Sequence, residues 1–136
     1  MTSIKRKIVL LFVLCAGLLS ACEPAALKES LEVTDLRYNT SATPHCAGLV
    51  KNISAQAINN LEVQVEFHNA DGNRVRTGTE GVSPKMLAPG TSSGFSVPYQ
   101  KGSNDPPVVG CRVVEFKSSD GGLLLYRDRS GATPSP

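Results

Sequence analysis

"LEVQVEFH", residues 61–68, decides the fold class. Leu61, Val63, Val65 and Phe67 alternate with Glu62, Gln64, Glu66 and His68. A period of two over eight residues marks a β-strand with one buried face and one face in water. The next stretch, "NADGNRVRTGT" (69–79), turns back. A two-residue loop at Asp71-Gly72 would set Phe67 opposite Arg76 and bring charge onto the buried face. A three-residue loop, Ala70-Asp71-Gly72, sets Phe67 opposite Val75 and Glu66 opposite Arg76. The second register keeps apolar with apolar and acid with base. It predicts a type I turn with Gly72 in the left-handed position of a bulge.

Similar patterns extend both ways. "LEVTDLRY" (31–38) and "CAGLVKN" (46–52) read as the first two strands, and "NISAQAINN" (52–60) as a turn. "LAPG" (87–90) is a turn in which Pro89 supplies φ near −65° and Gly90 can take positive φ. "SGFSVPY" (93–99) alternates again, "QKGSNDPP" (100–107) is a loop, "VVGCRVVEF" (108–116) is strongly β, and "LLLYR" (123–127) is a last strand. About seven strands with regular turn signals predict an antiparallel β-sandwich over 31–127. No helical period and no internal repeat stand out.

The N-terminus carries a different signal. Lys5, Arg6 and Lys7 precede "IVLLFVLCAGLL" (8–19), a run of twelve apolar or small residues. At about 1.5 Å per residue this is too short to span a bilayer core of roughly 30 Å. It suits the apolar region of a secretory signal. The run ends in Leu19-Ser20-Ala21-Cys22, which resembles the lipobox of bacterial lipoproteins. The resemblance implies cleavage after residue 21, lipidation of Cys22 and a tether over 22–30. Two or more acyl chains anchor a protein stably without spanning. Glu23 after the cysteine leans toward an outer-membrane anchor facing the periplasm, by the same resemblance.

Losing residues 1–21 leaves 115 of the 136 residues, with eleven of the fourteen Lys and Arg facing twelve Asp and Glu. The basic balance of the whole chain lies in the signal. No basic stripe remains to suggest nucleic acid. Residues 128–136, rich in small residues and proline, read as a flexible tail.

"GLVKN", then the hairpin from Leu61 to Thr79, then "LAPGTSSGFSV" resembles the FxLYD family of small bacterial domains in order and spacing over residues 46–98. Phe67-His68-Asn69 stands at the family's Phe-Tyr-Asp-like triplet. The resemblance implies an immunoglobulin-like, non-catalytic domain with no cofactor.

Of the four cysteines, Cys15 leaves with the signal and Cys22 takes lipid, so Cys46 and Cys111 remain. In an exported chain such a pair oxidises. In an immunoglobulin-like sandwich the two would sit on the B and F strands and bridge the core. Rival chemistries fit less well. His45, Cys46, His68 and Cys111 match no zinc spacing, and strand neighbours His45 and Cys46 point to opposite faces. The same geometry opposes a cysteine–histidine nucleophile. Gly90–Gly94 matches G-x-S-x-G but lacks the strand–turn–helix that a nucleophile elbow needs. "NADGN" lacks the calcium-loop glycine and distal glutamate. Glu62 and Glu66 share an exposed strand face rather than a cleft.

A binding role is left. The loop 100–107, with Gln100, Lys101, Ser103, Asn104 and Asp105, holds no core residue and is free to meet a partner. An edge strand could accept another strand. Three tyrosines and no tryptophan argue against a broad sugar-stacking platform. The expectation is a non-enzymatic, lipid-anchored module that binds or scaffolds an envelope protein. The alternative is a periplasmic inhibitor or accessory subunit of an envelope enzyme.

Overall fold

The computed structural model describes residues 28–120 and 122–131. Among them there is no helix. Sheet 1 has the order β10-β1-β2-β7 and sheet 2 the order β5-β4-β8-β9. Sheet 1 contains β1 (Leu31–Asn39), β2 (His45–Asn52), β7 (Ser92–Pro98) and β10 (Tyr126–Asp128). Sheet 2 contains β4 (Glu62–His68), β5 (Arg74–Gly81), β8 (Gly110–Ser118) and β9 (Gly122–Leu124). A short ribbon of β3 (Ile58–Asn59) and β6 (Met86–Leu87) closes one end. The fold is an all-β sandwich, with antiparallel pairing throughout except where β10 runs parallel to β1.

The alternation read in residues 61–68 holds: Val63, Val65 and Phe67 are buried and their neighbours in β4 are not. Facing them across the core lie Leu31, Val33, Val50, Phe95 and Val97 of sheet 1. Two aromatic groups join the sheets. Phe67 meets Tyr38 and Tyr99 at centroid distances of 6.0 and 5.1 Å. Phe116 meets Phe95 and Tyr126 at 6.1 and 5.3 Å. Burying such a side chain contributes about 2–3 kcal/mol. The Phe95 ring lies over Gly48, where an added Cβ would come within 2.8 Å of it. That contact explains a glycine in the middle of a core strand.

The hairpin corrects the expected register. The loop is Ala70-Asp71-Gly72 as read: the Asn69 N–H donates to Asn73, the Gly72 N–H donates back to Asn69, and Gly72 has φ 80°. His68 faces Arg74 as that loop requires. A further bulge at Val75 then shifts the pairing, so that Phe67 faces Arg76 and Glu66 faces Thr77. β5 is a sheet edge with no buried residue, so apolar matching along it exerts little force on register. Glu66 takes its partner from the other side, accepting from Arg112 Nε and Nη2 at 2.9 and 2.6 Å.

Two other irregularities keep apolar residues inside. Strict alternation in β1 would point Asp35 into the core. A register shift there, with Asp35 at φ 53°, turns Leu36 inward instead. In β8 a shift leaves Val114 half exposed and sends Phe116 inward rather than Glu115. Bulges of this kind re-aim side chains at the cost of one unpaired residue. The stretch read as one last strand is two. β9 pairs with β8 in sheet 2, the chain crosses at Leu125, and β10 joins β1 in sheet 1. This crossing closes one side of the sandwich. β5 and β7 form its open side.

Candidate functional site

The loop 100–107 leaves β7 at the end of the sandwich that holds the two cysteines. Cys46 on β2 and Cys111 on β8 form a disulfide between the sheets, with Cα atoms 6.0 Å apart. Phe67 lies opposite Cys111 in β4. Tyr99 stacks on Phe67, and its N–H donates to the Pro44 carbonyl at 2.8 Å. The loop therefore starts from an anchored residue.

Asp105 fixes its return. Its Oδ2 accepts from the Gly102 N–H and the Tyr99 hydroxyl, both at 2.7 Å, and from Arg76 Nε. The Asp105 N–H donates to the Gly102 carbonyl at 3.3 Å. Arg76 presses so closely on Gly102 that a Cβ there would collide with its guanidinium. The Arg76 bond, followed by the Gly102 and Tyr99 bonds, holds the Asp105 carboxyl well below the usual carboxylate range. Burial, then the bond to Asp105, pushes the Tyr99 phenol up to about 12. The loop keeps this charge state across the pH range of living cells.

Gln100, Lys101, Ser103 and Asn104 are exposed on this frame. Asp105 is turned inward and belongs to the frame itself. Arg76, which the sequence pattern sets against Glu66, is instead bonded to Asp105, and Tyr99 holds it from the other side. Arg76 is 29 residues away, and no local motif joins them.

The other sequence features fall elsewhere. His45 lies on the face of β2 opposite Cys46, as alternation requires. Its Nδ1 bonds the Thr43 carbonyl at 2.8 Å and its Nε2 meets Asn39 Nδ2 at 3.3 Å. The Cys46 sulfur is committed to Cys111, which removes it as a nucleophile or ligand. Among the described residues no three of His, Cys, Asp and Glu come together. Ser92 of the G-x-S-x-G stretch begins an edge strand opposite Lys51. Asn69 Oδ1 accepts from the Asp71 and Asn73 N–H groups, so "NADGN" is a self-capped turn. Cys22 and residues 132–136 lie outside the described residues.

Two concavities are shallow. One, of about 270 Å³, runs between β5 and β7 beside Arg76, Gly78 and Gln100. The other, of about 390 Å³, lies on the outer face of sheet 1 between Arg37, Leu49 and Ser96.

The opposite end is closed by Asn52, whose importance was also not legible in sequence. Asn52 is fully buried. Its Nδ2 donates to the Gln56 and Leu87 carbonyls at 2.7 and 2.9 Å. Its Oδ1 accepts from the Ser54 N–H and hydroxyl at 2.9 and 2.7 Å. Its backbone bonds Thr91 and Gly90. The "GLVKN" and "LAPG" stretches are thus bonded to each other.

Neither a family model nor a curated protein matches the sequence. A solved structure similar to this chain is that of IrmA from Escherichia coli. It has a TM-score of 0.48 and 10% identity, over 80% of this chain and 98% of that one.

Proposed function

We propose that this is a lipid-anchored envelope protein of FxLYD-like type whose sandwich binds a partner protein through the loop 100–107 and performs no catalysis. The lipid on Cys22 holds the chain to the periplasmic face of an outer membrane. The observation that supports the reading is the placement of the two ends. Ser30 donates to Leu125, and its carbonyl accepts from Ile53, at the Asn52 end. From there β1 runs nine residues toward the disulfide end, roughly 30 Å at a strand's rise. A tether arriving at residue 30 presents the Asp105 loop away from the anchor. A pinned loop loses little conformational freedom on binding, which favours recognition.

A photo-crosslinking residue at Asn104, compared with one at Gln56 on the Asn52 end, tests this in cells. The expected outcome is a discrete protein adduct at position 104 that is absent at 56 and is lost when Lys101 and Ser103 become alanine. Equal adducts, or none at 104, would overturn the loop as the contact. The second reading, an inhibitor or accessory subunit, draws on the rigid frame and on Pro106-Pro107, which stiffen the loop into a wedge. It requires the crosslinked partner to be an enzyme whose rate changes on binding.

A further inference from the structure

Three of the six exposed large apolar side chains among the described residues gather at the Asn52 end and the closed side next to it. Leu123 is 66% exposed, Met86 58% and Leu125 45%. Hydrogen bonds connect their positions. Met86 pairs with Asn59 in the β3–β6 ribbon. The Asn59 carbonyl accepts from the Ser119 N–H, and Asn59 Nδ2 donates to Asp120 at 2.8 Å. The turn at Asp120 leads into β9, where Leu123 lies opposite Lys117. The Leu125 carbonyl accepts from both Ser30 and Leu31, so this residue sits where the chain enters the sandwich. Of the other three, Leu49 lies on the outer face of sheet 1, Val109 at the disulfide end, and Val114 on the outer face of sheet 2 before Lys117 in β8.

We infer that Leu123, Leu125 and Met86 form a membrane-resting face, on which the domain leans against the bilayer. The inference rests on the anchoring of Cys22 proposed above. Five residues lie between Cys22 and Lys28, and the six Cα steps reach about 20 Å at full extension. That is shorter than β1, so an anchored domain keeps this end beside the lipid. Apolar side chains there insert at the headgroup boundary and add to the acyl chains. Most neighbouring acids are compensated; Asp120, which accepts from Asn59 Nδ2, is the exception, with no basic partner among the described residues. Glu29 is paired with Arg127 and Glu115 with Lys117. Glu62 lies opposite Lys117 in the ladder. Lys28 and Lys85, beside Met86 in sequence, have no carboxylate partner among the described residues and suit anionic headgroups.

The chain has no tryptophan, so single insertions report position without background. L123W, M86W, K51W and V109W are made in the full-length gene, and each protein is purified from membranes. Each is combined with phosphatidylethanolamine–phosphatidylglycerol vesicles carrying a doxyl label near the headgroup. Lys51 lies at the same end on the outer face of sheet 1, and Val109 at the disulfide end. Quenching of L123W and M86W should exceed that of K51W and V109W by about twofold or more. Equal quenching of L123W and K51W would show an end that merely hangs near the lipid, and would overturn the inference. Intact mass of the same samples reads lipidation of Cys22 separately. An unlipidated protein that still shows the L123W and M86W pattern ends the anchoring proposal and keeps the face. A lipidated protein without the pattern does the reverse.

Discussion

The two ends of the sandwich are closed by different physics. At one, Asn52 is buried and neutral, and each of its side-chain polar atoms makes two hydrogen bonds. At the other, Asp105 is charged and bonded to Arg76, Tyr99 and Gly102 near the surface, behind a disulfide. A buried amide is tolerated only when fully bonded, so it gives strict geometry and no titration. A partly exposed carboxylate is screened by water, so it orients a loop rather than holding a fold together. The Asn52 end is therefore architecture, and the Asp105 end is a platform with its stability supplied by a covalent bond.

The largest test is removal of that bond. Cys46 and Cys111 are separated by 65 residues, and closing such a loop contributes about 4 kcal/mol in the chain-entropy account. The double variant Cys46→Ser, Cys111→Ser should lose about that much in urea unfolding, and hydrogen exchange should rise first around Tyr99 and Phe67. Uniform exchange at both ends would contradict a divided structure. Next comes Asn52→Ala. It strands the buried Leu87 carbonyl and releases the half-buried turn at Ser54, while the Gln56 carbonyl keeps the Ser54 hydroxyl, for a loss of about 2 kcal/mol. Denaturant midpoints check it, and exchange should rise in 53–60 and 86–91 while the loop 100–107 stays protected.

The smallest effect belongs to Asp105→Asn. Global unfolding should barely move, while exchange at the Gly102 amide accelerates. Tyr99 is the readout. Its phenol is raised to about 12, so the stabilisation tied to its neutral form is present below its ordinary value near 10. That stabilisation is lost as pH rises from 10 through 12. Burial also raises the Tyr38 and Tyr126 phenols, so an ultraviolet titration of the wild type should show late phenols with Tyr99 the last of them. In Asp105→Asn that phenol should titrate earlier, though burial keeps it above 10. An unchanged titration would detach Asp105 from Tyr99.

Legibility in the sequence follows the range of the forces involved. The strand at 61–68, the three-residue loop with positive-φ Gly72 and the positive φ of Gly90 (76°) rest on local periodicity and turn chemistry. These were readable. The register beyond His68 was not, because the edge strand β5 buries no side chain to hold it. The bulges at Asp35 and Val114 are legible only once the core is known to need Leu36 and Phe116 inside. The loop 100–107 was visible as a stretch without core residues. That Asp105 faces inward depended on Arg76, which a different strand delivers.

The sequence by itself determined an all-β chain, its main strands and its principal turns, since each depends on residues a few positions apart. Which carboxylate each arginine takes and which residues close each end were decided only by tertiary structure. Those choices depend on strands far apart in the chain being brought within hydrogen-bond reach.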